Sequence, residues 1–152
     1  MKKIVFLALF LLLCLPNVNA QTTVDAKYKI NPTKDKNSPS GVYIPKNLDD
    51  CFKELEKMLT PELIKEMETG TEADMGKYHR GLGMWIRNNW GLWSGSRLEV
   101  YFNNLRVHHP DDMSGIILDS FWRKLNNKPI KLEKQIKRYE DYWKSLKDQK
   151  IN

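Results

Sequence analysis

Apolar residues in this chain recur every three or four positions from Leu48 to Leu146, and no stretch alternates as a half-buried strand requires. That period restricts the folded part to α-helices packed on one another. Caps and prolines then cut the pattern into short pieces. Asn47 can cap a first helix, with Asp49 and Asp50 where the helix dipole favours acids, and Leu48, Phe52, Leu55 and Leu59 form its apolar face. Thr60 and Pro61 start a second helix, whose buried side is Leu63, Ile64 and Met67 and which Gly70 stops. Thr71-Glu72-Ala73-Asp74 is a capping pattern, and Met75, Tyr78, Leu82, Trp85 and Ile86 mark a third helix. Gly81 and Gly83 weaken that helix by about 1 kcal/mol each.

Asn88 to Gly95 reads as a turn-rich connection. Ser96 can cap a fourth helix carrying Leu98, Tyr101, Phe102 and Leu105. Pro110 belongs in the first turn of a fifth, with Asp111 and Asp112 beside it and Met113, Ile116, Ile117, Phe121 and Leu125 along one face. A last helix is expected from about Pro129 to Lys147, with Leu132, Ile136, Tyr139, Trp143 and Leu146 in line. The expected fold is all-α, a compact bundle of five or six short helices. The helical domain should occupy residues 43–127, with residues 128–152 forming a basic amphipathic helix packed on it.

The first twenty residues carry a different message. Lys2 and Lys3 precede an apolar run from Ile4 to Leu15, Pro16 breaks it, and Val18-Asn19-Ala20 offers a cleavage site. This is the pattern of a secretory signal peptide, too short to span a membrane. Leu13 stands before Cys14, where a lipidation signal wants a small residue. Cleavage after Ala20 leaves 132 of the 152 residues, enough for one domain with a modest core. Residues 21–42, rich in Pro, Asn, Lys and Ser, read as a flexible tether. The expected location is outside the cytoplasm, in the periplasm or the medium, with no membrane span left after cleavage.

Export makes nucleic acid a poor candidate partner despite a net charge of +6, which falls to +4 once Lys2 and Lys3 are removed. The surplus lies at the end of the chain. From Lys128 to Lys150 eight Lys and Arg face four acids. A solvated face accounts for them, and a membrane- or partner-facing surface or a self-association seam is the alternative. With Cys14 removed, Cys51 is the one remaining thiol, so no internal disulfide forms. Asp49, Asp50 and Glu54 surround it, which argues for a small apolar core residue over a reactive one.

Two constellations could carry chemistry. The stretch Gly81 to Arg97 concentrates Trp85, Arg87, Asn88, Asn89, Trp90, Trp93 and Arg97. Indole faces stack on sugar rings or peptides, and Arg and Asn supply planar donors around them. The same residues would equally serve as core anchors of a difficult turn. The second constellation is His108-His109-Pro110-Asp111-Asp112. Imidazole and carboxylate are acid–base groups and metal ligands, yet adjacent residues rarely aim at one ion, and first-turn acids have a dipole role of their own. His79 would have to join His108 and His109 for a three-histidine metal site. No Gly-x-Ser-x-Gly and no phosphate loop is present.

Taken together, Tyr43-Ile-Pro-Lys-Asn-Leu-Asp-Asp-Cys-Phe, Gly83-Met-Trp-Ile-Arg-Asn-Asn-Trp-Gly-Leu-Trp, Ser96-Arg-Leu, Tyr101-Phe-Asn and His109-Pro-Asp-Asp-Met-Ser-Gly-Ile-Ile-Leu resemble an uncharacterised bacterial domain-of-unknown-function family. The resemblance covers about Tyr43 to Leu125. It implies a small domain without an assigned activity. It also implies that glycine often stands where this chain has Arg106, so the turn after Leu105 should differ here.

The leading expectation is a non-enzymatic exported binding module with no cofactor and no metal. Trp90 and Trp93 would stack on a peptide or glycan of the cell envelope, or on an envelope protein. Arg87 and Arg97 would hold anionic groups, Asn88 and Asn89 would orient the ligand, and His109, Asp111 and Asp112 would complete the surface. The alternatives are a cell-envelope hydrolase or metal-dependent enzyme using His109 with Asp111 or Asp112, and a self-associating structural protein.

Overall fold

The computed structural model describes residues 41–151, so the signal peptide, its cleavage site and all but the end of the tether lie outside the described residues. Among the described residues the fold is all-α: six α-helices and no strand. They are α1 (Leu48–Met58), α2 (Pro61–Thr69), α3 (Met84–Asn89), α4 (Arg97–Asn104), α5 (Pro110–Leu125) and α6 (Leu132–Ile151). No described helix is long and apolar enough to cross a membrane.

The caps form as the sequence indicates. Asn47 accepts from the Asp50 amide at 3.0 Å, Thr60 from Leu63 at 3.3 Å and Ser96 from Glu99 at 3.2 Å. Each satisfies an amide that the first helical turn leaves without a partner. The Asp74 carboxylate accepts from both the amide and the hydroxyl of Thr71, each at 2.7 Å, and these bonds lower its pKa.

The centre of the molecule is α5, in contact with every other helical element. Eleven of its sixteen residues are buried, so it is apolar nearly all round, as a helix inside a core must be. Met113, Ile116, Ile117 and Phe121 meet Cys51, Phe52 and Leu55 of α1 and Leu98 and Phe102 of α4 in one cluster. Cys51 is fully buried, and burial pushes its thiol pKa well up, which suits a small apolar residue and not a reactive one.

The third helix departs from expectation. Residues Glu72–Tyr78 wind as a 3₁₀ helix, His79–Gly83 follow as a π turn, and only Met84–Asn89 are α-helical. Three glycines leave this segment with little intrinsic preference, so tertiary contacts set its winding. The wide turn brings the Gly83 backbone against α5. A β-carbon there would lie 3.1 Å from Arg87 Nη1 and 3.6 Å from Leu118 Cδ1. The turn-rich connection accordingly starts at Trp90, two residues later than expected.

Arg106 has φ of +65°, in the left-handed region where glycine is at ease and other residues are strained by about 1–2 kcal/mol. Arg106 itself makes the turn after Leu105 in this left-handed conformation. Its guanidinium reaches across to Glu140 of α6 at 2.9 Å. The α6 helix starts at Leu132 rather than Pro129, because Lys131 is itself left-handed at φ +53°, and it continues past Lys147 to Ile151.

Candidate functional site

Pro110 keeps His109 extended, at φ −98° and ψ 123°, and makes it the cap of α5. Nδ1 of His109 accepts from the Asp111 amide at 3.3 Å and lies 3.5 Å from the Asp111 carboxylate. The two contacts need opposite states of one nitrogen. The amide contact is that of the neutral ring with its proton on Nε2, whereas a protonated ring would turn Nδ1–H to the carboxylate. The imidazole stands between two indoles, with ring centres 6.2 Å from Trp93 and 5.2 Å from Trp143. Trp93 is 57% exposed and Trp143 38%, so the three rings form an open aromatic row.

Asp112 lies one residue further into α5 and is buried. Trp143 of α6 donates its indole N–H to Asp112 Oδ2 at 2.6 Å. Burial pushes the Asp112 carboxyl pKa up, and the Trp143 hydrogen bond and the nearby His109 pull it part of the way back. Beside this pair runs a groove of about 510 Å³ between the His108 loop and α6. Val107, Ile136 and Tyr139 give it apolar surface, and Trp143 forms a wall. Arg106, His108, Lys144 and Lys147 surround it with basic groups, against the carboxylates of Asp112 and Glu140. Its size is that of an ordinary small-ligand site.

The Gly81–Arg97 constellation is divided by the fold. Trp90 is 1% exposed and packs edge-on against Trp85 at 6.1 Å, so its face meets core and not solvent. Arg87 is buried. It pairs with Asp111 at 3.2 Å and donates to Ser114 Oγ at 2.8 Å. Asn89 returns its side-chain amide to the Trp85 carbonyl at 2.9 Å, while Asn88 is exposed. Arg97 donates through Nε to the Ile44 carbonyl at 2.8 Å and lies over the Tyr43 ring, fixing the lead-in strand of chain to α4. Of the ten residues singled out in the sequence, His109 and Asp112 line the groove, and Trp93 stands against the His109 ring outside that lining. Asp111 and Arg87 brace them from behind. Trp85, Asn88, Asn89, Trp90 and Arg97 lie elsewhere.

Ser114 sits 3.4 Å from His79 Nε2, but its hydroxyl donates to the Asp111 carbonyl at 2.9 Å and accepts from Arg87. That proton is engaged and the residue is buried, so the pair does not form an activated nucleophile. His79 Nε2 also lies 3.0 Å from the Asp111 carbonyl. Among the described residues no three His, Cys, Asp or Glu side chains gather to hold a metal ion.

A family model described as Domain of unknown function (DUF6794) matches residues 44–125, more than half of the chain. The chain belongs to the DUF6794 family. No curated protein and no solved structure matches it. The DUF6794 match ends with the last residue of α5, so α6 and its groove wall lie beyond the matched region. Trp143 is therefore a contribution to the site that family motifs could not disclose. Its sequence signal was an indole placed among lysines near the end of an apolar line. That apolar line buries Ile136 and leaves Trp143 partly open.

Proposed function

We propose that this DUF6794 chain is an exported, non-catalytic binding module, and that its ligand surface is the aromatic row Trp93–His109–Trp143 together with the groove that His109 and Trp143 line. The observation that carries the reading is the row of two exposed indoles with the half-buried His109 ring between them, beside a groove of ligand size. Large apolar rings left open to water at the edge of a concavity mark a contact surface. The buried Asp112 carboxylate adds to it, because an ionisable group in a costly environment is characteristic of sites. The apolar run and cleavage pattern of residues 1–20 support export, and peptides and glycans of the cell envelope are the ligands such a location offers.

The test is thermal denaturation of the chain from Gln21 onward with cell-wall fragments, oligosaccharides and short peptides. Ligand at a hundred times its Kd adds about 2.7 kcal/mol, a melting-point rise of several degrees in a domain this size. The rise should vanish in Trp93→Ala and shrink in Trp143→Phe. A rise that both variants retain in full overturns the assignment of the surface. N-terminal sequencing of chain recovered outside the cytoplasm should begin at Gln21.

A further inference from the structure

The row of rings runs further than Trp143. Tyr142 of α6 is 53% exposed, and its ring centre lies 5.4 Å from that of Trp143. Trp93, His109, Trp143 and Tyr142 thus follow one another at steps of 6.2, 5.2 and 5.4 Å, each partly open to solvent. Their successive planes are turned by 77°, 37° and 71°. Cations lie alongside. Lys144 follows Trp143 directly, Lys147 stands one turn beyond it, and both are exposed where they line the groove. The ion pairs that α6 makes among the described residues are Arg106–Glu140, Lys137–Asp141 and Arg138–Asp119, which leave Lys144 and Lys147 out. The groove's own carboxylates are engaged elsewhere: Glu140 pairs with Arg106, and Asp112 is buried and held by the Trp143 indole.

We infer that this surface takes an acidic oligosaccharide, a run of sugar rings bearing carboxylates, with sugars seated on Trp93, Trp143 and Tyr142 and carboxylates at Lys144 and Lys147. This ligand class rests on the binding-module reading and makes it specific. A sugar offers an apolar C–H face to an aromatic ring and hydroxyls to the water around it, which suits rings that are half open to solvent. Sugars joined by glycosidic bonds can also turn relative to one another, as these ring planes do. A run of stacked nucleobases keeps its planes parallel and fits poorly on rings turned by 77° and 71°. The sign of the ligand's charge follows from the two ammonium groups, which attract carboxylates beside the Trp143 ring. An acidic peptide would bring the carboxylates without the apolar faces that the rings require.

Calorimetric titration of the chain from Gln21 onward, at low ionic strength, tests this. The probes are pentagalacturonate and its methyl ester, the same sugars with every carboxylate capped. Two exposed charge pairs should make the acid bind about tenfold more tightly than the ester. Lys144→Gln/Lys147→Gln, two exposed substitutions that leave the core untouched, should remove that preference, and added salt should weaken it. Tyr142→Ala, which removes an exposed ring, should weaken acid and ester alike. Pentaglutamate, with carboxylates and no sugar faces, should bind more weakly than pentagalacturonate. The inference is overturned by equal affinity for acid and ester, by an unchanged preference in the double variant, or by no binding of pentagalacturonate to the folded chain. Pentaglutamate or oligothymidylate binding as tightly as the sugar acid overturns it too. A neutral oligosaccharide or peptide that stabilises the chain and fails to do so in Trp93→Ala, with no preference for the acid, would leave the binding module standing and remove this ligand class.

Discussion

The hydroxyl of Tyr139 occupies the place a β-carbon on Gly115 would need: built there, that carbon lies 2.3 Å from the hydroxyl oxygen and 3.3 Å from the ring carbon that bears it. Glycine at this position lets α6 press its ring onto the middle of α5. Gly115→Ala therefore forces Tyr139 to tilt or α6 to lift. The expected destabilisation is about 1–3 kcal/mol, read by urea denaturation. Groove binding should weaken as well, because Trp143 rides on the same helix. Wild-type stability in Gly115→Ala would show that the contact is loose.

Asp112 gives a pH-dependent prediction with a definite sign. Burial raises its pKa in the folded chain, so the folded state holds that proton more tightly than the unfolded state. The resulting stabilisation is full below the unfolded value of about 4 and is lost as pH rises through the raised folded value. Asp112→Asn keeps an oxygen for the Trp143 indole and discards the charge. The variant should melt higher than wild type at pH 7, with the gap closing toward pH 4. A gap that is constant with pH would mean that the carboxylate is not titrating between the two states.

Trp90 and Trp93, three residues apart, should behave oppositely. Trp90→Ala empties a fully buried site and should lower stability by about 3–5 kcal/mol. Trp93→Ala removes an exposed ring and should change stability by less than about 1 kcal/mol. Only the second variant should lose ligand while staying folded under the same assay. A large stability loss in Trp93→Ala would make it part of the core.

Arg106 holds a left-handed backbone for the sake of its reach to Glu140. An exposed pair of this kind contributes about 0–1 kcal/mol. Arg106→Ala loses the pair and keeps the strain, whereas Arg106→Gly loses both. The glycine variant should therefore be the more stable of the two by about 1 kcal/mol in chemical denaturation. Equal stability would mean that the turn relaxes without glycine.

The helical class and most helix starts were legible because caps and periodicity are local. Asn47, Thr60, Ser96 and Pro110 each announce a first turn within a few residues. The winding of residues 72–83 was not legible, since three glycines leave the choice to distant contacts with α5. The site was half legible. His109 and Asp112 stood out as adjacent polar residues, but Trp90 and Trp93 carry the same signal, and only the turn at Gly91, with φ of +67°, decides which indole goes inward. Trp143 lies more than thirty residues from its partners, a distance that local pattern does not reach.

The connection from Leu125 to Leu132 bends through two left-handed residues, Asn127 and Lys131, and it begins where the family match stops. A joint cut there would leave the α5-centred core nearly whole and exchange the outer wall of the groove. Gly115, whose missing side chain admits the Tyr139 hydroxyl, is the socket that any helix joined there would have to fit.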